Sequence, residues 1–512
     1  MGVCWDLLIV ATAGGFVGTL VAIPQVKRAA HRFGFLDWPG GRKNHTAPVP
    51  LLGGVAIFAP LPVLFIILHK IGGGERLPSL EPRVTEFLSL FVATLAVVGL
   101  GLVDDKIPLG WKRKLIGQIL AVLILIAGGH SLPSATVPFV GPVFFGWLGY
   151  VVFAVSVLTV TNAVNLIDGL DGLAGGICFF AASTWGIISL IKGDYSMAIV
   201  GLTLAGSLLG FLLFNFPPAS IYMGDAGSLG LGFLLGALGT SATAFSSGQR
   251  PGTMGVALIP ILPFGIALFD VAFSIVRRWI SGKRIFLPDA DHIHHRLMRE
   301  FKRPRVVIAI IYSFTALLSA AAILLVMYPE FQSRQVFIAI GVGIFVIVIA
   351  TILRLYRVRF FSDAVVNRHD VQFLEHFVVF MDKRMKRASS PEELISLLEG
   401  GVVHLGFDAV EVSNGYGNTK KWVNPTPVHP ERARVRGERS LATNGWGVSW
   451  VIPIHYSPQY QEVLELSWQR VLKALALRLK ELAEAPQHEC SPVDLEAGKS
   501  PLESKCIPDS AK

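Results

Sequence analysis

Apolar residues fill the first two thirds of the chain in long runs, and the linkers between them hold nearly all the polar side chains. Eleven runs stand out, at about 5–25, 51–69, 86–103, 115–129, 143–163, 173–191, 197–215, 228–246, 254–276, 305–327 and 336–354. A helix needs roughly 20 apolar residues to cross a hydrocarbon core about 30 Å thick, and all but the short fourth run approach that length. Backbone groups in lipid must bond within their own segment, so such runs predict helices. The expectation for residues 1–356 is an all-α polytopic membrane protein with about eleven transmembrane helices. Beyond residue 357 the long apolar runs end and charges become frequent. Helical spacing at 369–387, 391–404 and 468–484 and strand-like runs at 407–413 and 447–455 predict a small α+β domain over 357–485. Residues 486–512, rich in Pro, Ser and charge, are expected to be disordered.

Composition agrees with a membrane protein. Hydrophobic residues make up 52% of the 512 and charged residues 16%, against about 25% charged in soluble domains. Basic residues fix the orientation. The loops at 27–50, 104–114 and 277–304 hold 17 lysines and arginines, while linkers of opposite parity hold six. Positively charged loops stay in the cytoplasm. The first set and the C-terminal region are therefore expected inside, with the N-terminus outside. The net charge of +9 then reflects these loops and requires no nucleic-acid partner. The start of the chain reads as a first spanning helix, because no basic stretch precedes it and Lys27 and Arg28 follow it. Cys4, Cys178, Cys490 and Cys506 show neither metal spacing nor a disulfide framework.

The cytoplasmic linkers carry five polar motifs: K-N-H-T-A-P-V-P-L-L-G-G at 43–54, G-L-V-D-D-K at 101–106, N-A-V-N-L-I-D-G-L-D-G-L-A at 162–174, Y-M-G-D-A-G-S-L-G-L-G at 222–232 and P-D-A-D-H-I-H-H-R-L at 288–297. Asp104 and Asp105 close an apolar helix, where they either mark the membrane boundary or do chemistry. Asn162, Asn165, Asp168 and Asp171 recur every three residues. On a straight helix they sweep about half the circumference, so they converge on one ion only if the helix breaks, as Gly169 and Gly172 suggest. A plain turn built on Asn, Asp and Gly is the alternative. Asp225 is either an N-cap or an oxygen ligand for Mg²⁺, which favours one or two carboxylates plus substrate phosphates. His292, His294 and His295, followed by Arg296, admit a zinc site, a solvated basic loop or a phosphate contact. Gathered on one face of the membrane, these groups describe a site for Mg²⁺ and a diphosphate.

In these motifs, over roughly residues 1–355, the chain resembles the polyprenyl-phosphate N-acetylhexosamine-1-phosphate transferases. Within the superfamily it resembles the WecA-like branch, of which the His-Ile-His-His string at 292–295 is typical, rather than the MraY branch. The resemblance implies that Asp104 and Asp105 are the family's acidic pair and that Asp168 and Asp171 are further acidic catalytic positions. It implies metal contacts from Asp225 and Asn165, with Mg²⁺ (or Mn²⁺) as cofactor. It implies substrate contacts from Asn162, Lys114, His292, His294, His295 and Arg296, with the register of Lys114 uncertain within the run Lys112-Arg113-Lys114.

The implied substrates are a UDP-N-acetylhexosamine, UDP-GlcNAc first, and undecaprenyl phosphate at the cytoplasmic face of a bacterial inner membrane. UDP-GalNAc or a deoxy-N-acetyl sugar nucleotide is the runner-up donor. Direct attack by the lipid phosphate and a covalent aspartyl-phosphate route both fit. A transporter is the competing class, but transporter sites lie near the midplane and show paired halves. The C-terminal domain is weakly similar to GAF-like sensors; an accessory domain that stabilises an oligomer such as a homodimer fits it as well.

Overall fold

The computed structural model describes residues 5–38, 47–63, 66, 84–137, 141–243, 259–280, 292–327, 368–405, 407–413, 419–423, 434–441, 446–453 and 458–484. The chain divides into two compact units, Met1–Ser362 and Asp363–Lys512.

In the first unit apolar runs become helices α1 (Trp5–Phe33), α2 (Gly53–Phe58), α3 (Val84–Lys106), α4 (Trp111–Ala127), α5 (Leu148–Ile167), α6 (Leu173–Ile191), α7 (Tyr195–Asn215), α8 (Gly224–Thr243), α9 (Gly265–Ile280) and α11 (Pro304–Met327), and a further short helix, α10 (Ile293–Phe301), forms in the basic loop between the last two. Among the described residues six helices, α1, α3, α5, α6, α7 and α11, are long and apolar enough to cross a membrane. The protein is a multi-pass membrane protein. Its outward flanks are apolar, with Ile9, Leu95, Ile116, Leu120, Leu123 and Val155 all more than 40% exposed. In water such flanks aggregate; in a bilayer they are solvated.

The boundaries differ from the apolar runs in two informative places. Residues 143–147 precede α5, because β3 (Ser134–Val137) and β4 (Gly141–Phe144) form an antiparallel hairpin there. The described part of the ninth run opens on a 3₁₀ turn over Ile259–Phe264, which contains Pro263, and is α-helical from Gly265; proline lacks the N–H an α-helix uses. The last expected span, 336–354, lies outside the described residues, as do the start of the 43–54 motif and residues 288–291.

α8 forms the centre of the unit. Leu229, Leu231, Phe233 and Leu235 have no exposed surface, and α3 and α5 pack along the helix. The short pair β1 (Leu36–Asp37) and β2 (Val49–Pro50) joins the end of α1 to the entry of α2. There Gly53 and Gly54 donate to the carbonyls of Tyr222 and Met223, each at 2.9 Å, and tie α2 to the approach to α8.

The second unit has helices α12 (Arg368–Met385), α13 (Pro391–His404) and α14 (Pro458–Glu484) and a four-stranded antiparallel sheet. Its strands β5 (Ala409–Ser413), β6 (Thr419–Val423), β7 (Arg434–Ser440) and β8 (Gly447–Pro453) run in the order β6-β5-β8-β7. Val410, Val412, Val448 and Ile452 bury one sheet face in a core with Phe407, Trp468 and Leu472.

Candidate active site

Four helices bring their ends together. Asp104 and Asp105 end α3. Leu109 N donates to Asp104 Oδ1 at 2.5 Å, closing the turn into α4. Asp105 faces the start of α8, where its oxygens accept from Asp225 N at 2.8 Å and Ala226 N at 3.1 Å. The first turn of a helix has N–H groups without intrahelical partners and a partial positive charge. A carboxylate from another helix meets both needs, so Asp105 fixes where Asp225 stands. One turn earlier on α3, the backbone of Asp225 and Ala226 fills the space a side chain at Gly101 would take.

Lys114, in the first turn of α4, places Nζ 2.5 Å from Asp104 Oδ2 and 2.6 Å from Asp225 Oδ2. Its neighbours Lys112 and Arg113 are exposed, so Lys114 is the member of the run that faces the carboxylates. On α5, Asn165 Nδ2 donates to Asp225 Oδ1 at 3.0 Å and to Ser228 Oγ at 2.9 Å. Asp225 is thus gripped by its neighbours from α3, α4 and α5.

The 162–174 motif does break. α5 ends at Ile167, and Gly172, with φ at 76°, precedes α6 in a conformation that favours glycine. The turn is pinned by Gly172 N donating to Asn215 Oδ1 at 2.9 Å and by Tyr312 Oη donating to Gly172 O at 2.6 Å. The break does not gather all four side chains. Asp168 lies within the field of the other carboxylates: burial and the charges of Asp225, Asp105 and Asp171 push its carboxyl up to about 8. Asp171 accepts from Ala219 N at 2.9 Å and holds the loop before α8. Asn162 pairs with the buried Gln118 of α4, Nδ2 to Oε1 at 2.8 Å.

The histidine string opens α10. His292 is its N-cap residue. His294 is buried, and neither ring nitrogen has a partner among the described residues. Burial and the adjacent His295 and His292 hold its imidazole down at about 3, so the ring is neutral. Its Nε2 lies 2.8 Å from the space a Cβ on Gly169 would take, which seats α10 on the Asp168 turn. His295 and Arg296 are half-buried. Gln118, Ser228 and Asn215 escaped the sequence reading; single amides and hydroxyls inside apolar helices gave the only signal.

A hard divalent cation takes oxygen ligands and completes its shell with water and substrate phosphates. Asp104, Asp225 and Asn165 supply such oxygens, and the ammonium held between the two carboxylates shows that the place attracts a cation. Among the described residues no three His, Cys, Asp or Glu side chains form a metal-holding group.

The sequence profile of "Glycosyl transferase family 4" matches residues 87–243. The chain is 34% identical over 324 residues to a Bacillus subtilis protein named "Probable undecaprenyl-phosphate N-acetylglucosaminyl 1-phosphate transferase", covering 62% of this chain and 85% of that one. The chain belongs to glycosyl transferase family 4. The family's profile spans Asp104 through Asp225, and the histidine string lies beyond it. Another similar member is "Decaprenyl-phosphate N-acetylglucosaminephosphotransferase" of Mycobacterium tuberculosis (strain ATCC 25618 / H37Rv), 30% identical over 62% of this chain and 82% of the relative. The "Phospho-N-acetylmuramoyl-pentapeptide-transferase" of Bacillus subtilis is 32% identical over 54% of this chain and 84% of its own length. As a family 4 member, the chain is a membrane-bound transferase.

Proposed function

We propose that this transferase moves N-acetylglucosamine 1-phosphate from UDP-N-acetylglucosamine to undecaprenyl phosphate, releasing UMP and starting a cell-envelope polysaccharide. The observation that carries the reading is the convergence of Asp104, Lys114, Asn165 and Asp225 from four helices at one end of the bundle. An oxygen of the lipid phosphate attacks the β-phosphorus of the sugar nucleotide. The bond to the bridging oxygen breaks, and UMP carries that oxygen away. Phosphoryl transfer of this kind depends on positioning and charge neutralisation.

Asp225, aided by Asn165, is the group that would hold Mg²⁺ (or Mn²⁺). Mg²⁺ bound there neutralises charge on the diphosphate. Asp104 orients the lipid phosphate for direct attack, and Lys114 neutralises charge between substrate and carboxylates. Asp105 acts by fixing Asp225, and Asp168 keeps a proton near the reacting phosphates. His295 and Arg296, the more accessible members of their string, meet the diphosphate; Asn162 and Asp171 support the turn from behind.

The remaining assignments follow the positive-inside argument: eleven spans, N-terminus outside, and the site on the cytoplasmic face of a bacterial inner membrane. Residues 1–356 are the catalytic part, 357–485 an accessory domain and 486–512 a disordered tail; a homodimer is the proposed assembly. The test is purified protein with undecaprenyl phosphate, Mg²⁺ and a panel of UDP-sugars, reading UMP. Release with UDP-GlcNAc above UDP-GalNAc is expected; no release with any UDP-N-acetylhexosamine sinks the assignment.

A further inference from the structure

Asp270 is a carboxylate inside α9, about 5% exposed, to which the reaction above gives no role. A buried carboxylate is costly unless its oxygens are hydrogen-bonded. Both oxygens of Asp270 are spent on the first turn of α10. Oδ1 accepts from Ile293 N at 2.8 Å, and Oδ2 lies 3.1 Å from His292 Nδ1. One side chain therefore caps the helix and holds the ring of its N-cap residue. The His292 ring lies parallel to that of His294, with centroids 5.8 Å apart, and His294 rests on the Asp168 turn. A line of contacts runs from Asp270 through His292 and His294 to the turn that carries Asp168.

We propose that Asp270 is a positioning residue for the sugar nucleotide: it fixes the first turn of α10, so that the His292–Arg296 row keeps its place beside the reacting diphosphate. The inference rests on the function proposed above. With Nδ1–H directed at the Asp270 carboxylate, the tautomer of His292 is set, and any bond from this ring to a phosphate oxygen runs through Nε2. The carboxylate behind the ring fixes its angle as well as its tautomer.

The test compares Asp270→Asn with Asp270→Ala. Asparagine keeps an acceptor for Ile293 N and loses the charge facing His292; alanine loses both. The KM for UDP-GlcNAc is expected to rise about tenfold in Asp270→Asn, the size of one charge-assisted hydrogen bond, and further in Asp270→Ala. The KM for undecaprenyl phosphate stays near its wild-type value. In a His292→Ala background Asp270→Asn adds little, because the contact it acts through is gone. Equal changes in both KM values, no change, or the same tenfold rise in the His292→Ala background each overturn the proposal. If Asp270→Ala does not fold, the near-isosteric Asp270→Asn carries the test. A second readout is the rise in Tm that UMP gives the detergent-purified protein, expected to shrink in both variants. If the wild type releases no UMP from any UDP-N-acetylhexosamine, the assigned reaction fails, and the UMP-dependent Tm alone decides Asp270: an unchanged shift in Asp270→Asn overturns it.

Discussion

Replacing Lys114 by Met removes the cation held between Asp104 and Asp225. Bonds of 2.5 and 2.6 Å to one nitrogen cap the separation of the two carboxylate oxygens at about 5 Å. Two unit charges that far apart repel by roughly 3 kcal/mol at an effective dielectric constant of about 20. Side-chain exposures of 9% for Asp104 and 28% for Asp225 let water screen part of this. Lys114→Met should therefore destabilise the protein by about 2 kcal/mol in the presence of a chelator. Divalent cations should recover most of the loss, because the proposed Mg²⁺ site uses the carboxylate oxygens that Lys114 holds. The assay is thermal unfolding in detergent, with EDTA and then across a Mg²⁺ titration, without substrate. Lys114→Met should melt lower than wild type in EDTA and gain more from Mg²⁺. Its UMP release should fall, since the lysine also neutralises charge during transfer. A variant that melts at or above wild type in EDTA, with superimposable Mg²⁺ curves, would refute the view that this place binds cations.

Three further outcomes follow from the geometry. The Asp168 carboxyl stands at about 8 in the folded protein and near 4 in an unfolded chain, so the folded state keeps a proton the unfolded chain has lost, and stability falls as pH rises between those values. In EDTA, the Tm advantage of Asp168→Asn over wild type should grow from pH 5 to pH 8; a flat difference counts against this. Gly101→Val forces a side chain into the backbone of Asp225 and Ala226, and should cost more than about 2 kcal/mol and most of the activity; a variant as stable as wild type would show that α3 and α8 are further apart. Removing the second unit, Asp363–Lys512, should leave UMP release per folded molecule unchanged, since every site residue lies in the first. Loss of all turnover in a correctly inserted truncation would mean that the second unit completes the site.

Much of the fold was legible because lipid imposes a strong rule on sequence: apolar runs of one length must be helices. Boundaries were less legible where something other than hydropathy set them. The β3–β4 hairpin is as apolar as a helix end, and Pro263 delays α9 without altering its hydropathy. In the second unit β6 and β7 escaped notice, and both are sheet edges. Lys420 and Lys421 on one and Arg434, Arg436 and Arg439 on the other hide the alternation expected of a strand, as charged residues do on edges that must not pair further. At the site, the residue types were readable and their partners were not. Nothing in the spacing of 162–171 told that Asn165 grips Asp225 while Asn162 turns to Gln118. Asp105 looked like the twin of Asp104, yet it bonds to the backbone of α8 while Asp104 meets Lys114. Asp270 carried a signal of its own, a lone acid within an apolar run, whose meaning appears only once α10 is placed beside it.

The central helix α8 has a consequence for motion. A segment walled in along its length opens only when its neighbours do, so its amides should be among the slowest in the bundle to exchange with solvent. Asp225 sits at the end of that post and inherits its stillness. The carboxylates thus stand on the part of the bundle that moves least, and the bonds from Asp270 to the first turn of α10 tie the histidines to α9.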